Sequence, residues 1–314
     1  MRLSAVITPV LPLLVGAASG PLAAQSGGPF TVAETGRSYA RLQDAVGAIG
    51  AGTGTIRIAA GTYRQCAVQA EGRIAYVAAE LGRSVFERVT CEDKATLVLR
   101  GAGARVDGLV FTHLQVTDGN GAGIRIEKGN LAVANTRFID NQSGILSASD
   151  PTATITVDRS TFAGLGKDPT GNGAHGIYVG GYGALTVTRS RFERGTGGHY
   201  LKSRAPRVTI VDNSFDDSAG QGTNYMIDLS NGATGRIAGN SFEVGPNKDN
   251  YSTMITVAPE GAENPSTGLV VENNRAWLTP AFRWKTTFVG NWSGDRVTLR
   301  NNQLAERIAP YADR

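Results

Sequence analysis

A six-residue pattern recurs along this chain: an aliphatic residue, two variable residues, a small polar residue, one further residue, then an aromatic or aliphatic one. It reads Val133 to Phe138 with Thr136 at the polar position, Val157 to Phe162 with Ser160, Val187 to Phe192 with Ser190, Ile210 to Phe215 with Asn213, and Ile237 to Phe242 with Asn240. Weaker copies run from Val271 to Ala276 with Asn274 and from Leu299 to Leu304 with Asn302, and Val106 to Phe111 is a degenerate early copy. The step between copies varies from 23 residues (187 to 210) to 34 (237 to 271), while the motif keeps its length. Fixed short strands joined by variable loops are the mark of a solenoid, in which each coil packs only on its neighbours. Helical repeats are excluded, because no stretch beyond the start sustains an i, i+3, i+4, i+7 apolar spacing.

The motif assigns roles to its positions. Thr136, Ser160, Ser190, Asn213, Asn240, Asn274 and Asn302 stack at one corner, about 4.8 Å apart. There the amides can donate and accept along the stack and tolerate left-handed backbone. Phe111, Phe138, Phe162, Phe192, Phe215 and Phe242 form an internal stack that fills the coils.

Composition agrees. Of 314 residues, 41 are glycine and only 7% are aromatic, so burial rests on small and branched aliphatics among many turns. The hydrophobic fraction of 41% excludes an intrinsically disordered chain. A net charge of +4 without a Lys/Arg block excludes a nucleic-acid patch and suits an acidic partner. Residues 1–24 read as a secretory signal peptide: Arg2, an apolar stretch from Leu3 to Val15, then small residues to Ala24. This predicts an exported, periplasmic or extracellular protein with its folded part at 25–314, monomeric and without a membrane span. Cys66 and Cys91, in no metal or redox spacing, are expected to form one disulfide in that compartment.

The coil pattern resembles the right-handed parallel β-helix of the pectate-lyase-like superfamily over about residues 30–305. Its opening is also similar: Ser38 to Val46 as a short amphipathic capping helix, Gly54 to Ile58 as a strand, and a Gly61-Thr62-Tyr63 turn. The resemblance implies an all-β, single-domain solenoid and a polysaccharide partner. It leaves activity open, since the fold hosts lyases, hydrolases, esterases, epimerases and binders.

Registering the coils on Ile124, Ile145, Ile177, Leu201, Ile227 and Ile255 gives an outward column one residue on, because strand side chains alternate. That column reads Arg125, Leu146, Tyr178, Lys202, Asp228, Thr256. With Arg204 beside it and His175, His199 and Tyr225 at the turns, three coils concentrate chemistry on one face. The longest loop, 163–174, and the loop 259–267 form walls, where functional groups commonly gather. Trp277, Trp284 and Trp292 are expected to cover the last coil.

For a uronate polymer this set suits β-elimination. Lys202 or His199 would be the base, Arg204 or a bound cation the carboxylate clamp, and Tyr178 or His175 the acid. Alternatively, Lys202 stabilises charge while Asp228 orients His199 as the base. Tyr200, Tyr225 and Arg125 are expected to bind substrate. No cofactor is expected; calcium is a precedent of the superfamily, but no dense carboxylate cluster has ligand spacing. The rival functions are a glycoside hydrolase, which needs a second exposed carboxylate beside Asp228 (Asp216 and Asp217 being placed in a turn), a non-catalytic carbohydrate binder, and a uronate epimerase.

Overall fold

The computed structural model describes residues 27–171 and 173–314; the expected leader at 1–24 lies outside them. Among these residues three sheets of twelve, ten and ten strands form, parallel throughout except where the first strand joins the twelve-stranded sheet, and from Thr53 onward consecutive strands pass from the first sheet to the second to the third. The result is a right-handed parallel β-helix. The first sheet pairs Val106, Val133, Val157, Val187, Ile210, Ile237, Val271 and Leu299 in unbroken register. The sequence motif is therefore one strand of the first sheet, one bend and the start of the second sheet.

The bend shows why the motif is conserved in length from coil to coil. Each polar residue accepts the backbone N–H of its counterpart one coil earlier: Thr136 N to Ser160 Oγ, Ser160 N to Ser190 Oγ, Ser190 N to Asn213 Oδ1, Asn213 N to Asn240 Oδ1, and so on to Asn302. The asparagines add a second link, Asn213 Nδ2 to Asn240 Oδ1 at 3.0 Å and Asn240 Nδ2 to Asn274 Oδ1 at 3.0 Å. A buried corner would otherwise leave these N–H groups unpaired. The left-handed residue is not the ladder residue, as the sequence suggested, but the one before it: Asn135, Arg159, Arg189, Asp212, Asn273 and Asn301 all have φ between 46° and 59°. Freed from that strain, the ladder residue aims its side chain inward.

Inside, the phenylalanines stack face to face, with ring centroids 4.7 to 5.9 Å apart from Phe86 to Phe242. Phe86 extends the column one coil earlier than the motif does. Past Phe242 the position becomes Ala276, and Phe288 fills the space from the third sheet, edge-on at 5.6 Å.

The N-terminal end is closed. Helix α1 (Leu42–Ile49) buries Leu42, Ala45 and Val46 against the first coil. Its N-terminus carries an Arg41–Asp44 ion pair, and it stops at Gly50, where φ is 54°. The strand Phe30–Val32 pairs antiparallel with Arg37–Tyr39 and Thr53–Ile58, capping the first sheet's edge. The expected disulfide joins Cys66 to Cys91 across a separation of 25 residues; closing such a loop contributes about 3.5 kcal/mol in the chain-entropy account. The tryptophans do not cover the last coil. Trp277 lies on the outer face of the second sheet opposite Glu243, Trp284 stacks on Tyr251, and Trp292 lies under Arg314.

Candidate functional site

The third sheet pairs Ile145, Ile177, Leu201, Ile227 and Ile255, and therefore Leu146, Tyr178, Lys202, Asp228 and Thr256 in one outward row. Outward does not mean exposed. Lys202 is 7% accessible and Asp228 1%, because the loop after Val257 folds back over them.

That loop brings Glu260, which sequence reasoning missed. Lys202 Nζ lies 3.2 Å from Asp228 Oδ2 and donates to Glu260 Oε1. Arg204 binds the other Glu260 oxygen, donates from Nη1 to Asn231 Oδ1 at 2.6 Å, and from Nε to the Tyr178 hydroxyl oxygen at 3.0 Å. Asp228 also accepts from Ser230 and Thr256, each at 3.0 Å. Burial pushes the Asp228 carboxyl above its ordinary value, against the pull of Lys202 and the two hydroxyls. For Glu260, burial acts in the same direction but Lys202 and Arg204 win, holding it below. The network revises two expected roles. An ammonium engaged by two carboxylates offers no lone pair for proton abstraction, and an Arg204 guanidinium with all three nitrogens occupied is not a free carboxylate clamp.

The histidines stand at the entry edge of the same sheet. His175 Nδ1 accepts the main-chain N–H of His199 at 3.1 Å and lies 3.3 Å from His199 Nδ1. His199 Nε2 stands 3.5 Å from Asp228 Oδ2. Rings continue the edge on both sides: Tyr178 stacks on His175 at 5.7 Å, and Tyr225 tilts against His199 at 5.4 Å. Burial lowers both imidazoles, His199 to about 3, which favours their neutral forms.

Arg125 belongs to the same column but is separated from Tyr178 by Leu146. Between them opens a cavity of about 370 Å³, lined by Asp93, Lys94, Asp118, Asn120, Arg125, Leu146, His175 and Tyr178. The Arg125 Nε–H is itself buried and makes no hydrogen bond; Glu127 Oε1 lies 3.6 Å from it. The disulfide anchors the loop that carries Asp93 and Lys94, and Cys91 packs with Tyr178 against Val98, Ala122 and Leu146. A second cavity of about 310 Å³ lies across the histidines, walled by the glycine-rich loop at 163–174.

Tyr200 is the misplaced residue. Strand alternation put it outward, yet it is buried in the core, where its hydroxyl donates to Asp217 Oδ1 at 2.8 Å and accepts the Gly195 N–H. Asp217 opens the turn expected there, its carbonyl accepting the Gly220 N–H at 2.9 Å, but its carboxylate is buried and paired to Lys248 at 3.3 Å, a structural anion of the interior; Asp216 ends the preceding strand. The position before each inward aliphatic turns inward throughout: Gly123, Gly144, Gly176, Tyr200, Met226 and Met254. A Cβ on Gly123 or Gly144 would meet a phenylalanine ring at 2.6 or 2.8 Å. Three successive glycines at one register position were the available signal that this column is interior. For Glu260 no register signal existed, since it arrives from a loop.

Among the described residues no group of three or more His, Cys, Asp or Glu side chains is placed to hold a metal ion.

Residues 153–304 match the family model described as a right-handed beta helix region. Among solved structures, the chain is similar to the surface protein and adhesin PfbA of Streptococcus pneumoniae, at 11% identity and a TM-score of 0.39, with 87% of this chain and 94% of that one covered. No curated protein matches the sequence.

Proposed function

We propose that this β-helix protein is an exported polysaccharide-degrading enzyme, a lyase that cleaves a uronate-containing polymer by β-elimination at the Tyr178 rim of the third sheet. One observation carries the reading: a phenol oxygen that accepts from a guanidinium, beside a stacked imidazole ring, at a cavity lined by Arg125 and Lys94.

β-Elimination removes the proton beside the uronate carboxylate and expels the glycosidic oxygen. Arg125 and Lys94, which line the cavity, receive the carboxylate and stabilise the charge that spreads onto it. Tyr178 is the base: as a phenolate paired with the Arg204 guanidinium it takes the proton and ends as the phenol. His175, stacked on Tyr178, protonates the departing oxygen. Lys202 and Glu260 hold Arg204 and Asp228 in place without touching the sugar. Export fits the Cys66–Cys91 disulfide, which persists in oxidising compartments. The exposed pair Tyr251 and Trp284, stacked at 4.9 Å near the entry edge of the same sheet, offers a flat apolar face on which a further sugar ring of the polymer rests.

A second reading, hydrolysis, is favoured by one specific arrangement. Asp228 and Glu260 both touch the Lys202 ammonium, and their environments push their titrations apart, as an acid and a nucleophile require. It ranks below the lyase because Asp228 is closed to solvent.

Incubation with a panel of uronate polymers separates the two. A lyase yields the absorbance of an unsaturated product, lost in Tyr178→Phe. Reducing ends without that absorbance, lost in Glu260→Gln, would establish the hydrolase instead.

A further inference from the structure

Counting protons in the histidine pair gives a result that the positions alone do not. The main-chain N–H of His199 points at His175 Nδ1 at 3.1 Å, so that nitrogen is an acceptor and a neutral His175 carries its proton on Nε2. The same acceptor lies 3.3 Å from His199 Nδ1, which must therefore be the donor of that contact. If His199 is neutral, its Nε2 then bears a lone pair and stands 3.5 Å from Asp228 Oδ2. Asp228 is already an acceptor for Ser230, Thr256 and Lys202. A bare carboxylate opposite that lone pair would be repulsive in a buried setting. One additional proton between the two satisfies every contact.

We propose that His199 and Asp228 hold one proton in common, and that this proton resupplies His175 as His175 gives its own to the departing oxygen. The proposal rests on the lyase reading of the site for the step it serves, while the proton count rests on geometry alone.

The step balances. Tyr178, as a phenolate, takes the proton of the C–H bond and becomes the phenol, and the electron pair of that bond becomes the new carbon–carbon double bond. The carbon–oxygen bond breaks with its pair on oxygen, and the His175 Nε2–H bond gives way to an O–H bond. The His199 Nδ1 proton moves to His175 Nδ1, and the shared proton settles on His199 Nε2. Both rings end neutral and Asp228 ends as a carboxylate. The negative charge thus appears 3.2 Å from the Lys202 ammonium and under two hydroxyl donors, away from the substrate. Lys202 gains a function that its two ion pairs would otherwise obscure: it stabilises the relay's terminal charge.

The other charges facing the pair fit this arrangement. Lys202 and Lys248 act against a cationic His199, and Lys202 and Arg204 against a cationic His175, while Glu260 partly offsets them. Burial disfavours charge on His199 and on Asp228 alike, which favours the state with the proton on the carboxyl. The proton is a property of the pair, not of either residue.

Imidazole nitrogen NMR on the 15N-labelled full chain at neutral pH tests the count without any substrate. His113→Gln, His175→Gln and His199→Gln assign the signals. The expected spectrum shows His175 protonated at Nε2 only and His199 protonated at Nδ1. A protonated His175 Nδ1, or a His199 protonated at Nε2 alone, would overturn the proposal. Asp228→Asn supplies the second arm, because its amide oxygen can still accept from Ser230 and Lys202 where Oδ2 does, while it has no proton to pass. It should preserve both tautomers and lower kcat on polymer by roughly 10²-fold or more, with little loss on a uronate carrying a fluoride leaving group, which needs no proton. An equal loss on both substrates would contradict the relay. Inactive wild-type protein with the expected tautomers would refute the lyase reading and leave the shared proton standing.

Discussion

Replacing Lys202 with methionine separates a charge staple from a base. The substitution removes the ammonium and keeps most of the stem. Asp228, at 1% exposure, then loses its cation, and breaking a buried pair by removing one partner costs about 3–5 kcal/mol. Two features reduce that figure. Asp228 keeps its hydroxyl bonds from Ser230 and Thr256, and the proton it holds in common with His199 limits the charge left without a partner. Glu260 keeps Arg204 and is 38% exposed in its side chain, so water can replace the lost contact. A net cost of about 2–3 kcal/mol follows, and at about 2–4 °C per kcal/mol the melting temperature should fall by roughly 4–12 °C. The double variant Lys202→Met/Asp228→Asn removes the stranded carboxyl as well and should recover more than half of the loss. Thermal melts of wild type and the two variants in one buffer provide the readout. If Lys202 were instead a neutral base exposed to substrate, Lys202→Met would abolish turnover while moving the melt by no more than about 2 °C. That result, or a double variant no more stable than the single one, would refute the reasoning.

Three further outcomes are expected. In the corner ladder, Asn240→Ala strips four hydrogen bonds from a buried site and should cost about 3–4 kcal/mol; Asn240→Ser, which imitates Ser160 and Ser190, should recover part of it, whereas Asn302→Ala at the half-buried end should cost about 1 kcal/mol or less, all read by thermal unfolding. Glu260 titrates below its ordinary 4.5 in the folded protein, so its contribution is complete above that pH and is lost as pH falls through the lower folded value; Glu260→Gln should flatten the acid limb of the stability profile below about pH 4.5 while leaving the slope near neutrality unchanged. Trp284→Ala should raise KM on long polymer several-fold and leave kcat and short-oligomer turnover unchanged, and equal KM on both lengths would remove the aromatic pair from the binding surface.

The register was legible because the solenoid repeats a rigid unit. Val133 through Leu299 fall into one sheet, and the Tyr178–Lys202–Asp228 row follows from strand alternation. Where the chain leaves the strand, alternation loses its force. Tyr200 sits at a corner whose entry bends through Gly198 at a φ of 52°, and the corner turns its ring inward. The burial of Lys202 and Asp228 was hidden for a related reason. Their cover comes from loop 259–267, whose length marks a wall but whose path, and with it Glu260, depends on tertiary contacts such as Asn264 Nδ2 on the Arg204 carbonyl at 3.2 Å. Proton placement was further out of reach, since it follows from distances of 3.1, 3.3 and 3.5 Å that no spacing encodes.

The central claim is that the Tyr178 rim eliminates across a uronate linkage. Its most direct measurement is the ultraviolet absorbance of the unsaturated sugar when the mature protein meets uronate polymers, run beside Tyr178→Phe and Arg125→Ala. The account predicts a steady rise with wild type, none with Tyr178→Phe, and a much raised KM with Arg125→Ala. A rise that Tyr178→Phe leaves untouched, or bound polymer with no rise on any member of the panel, would contradict it.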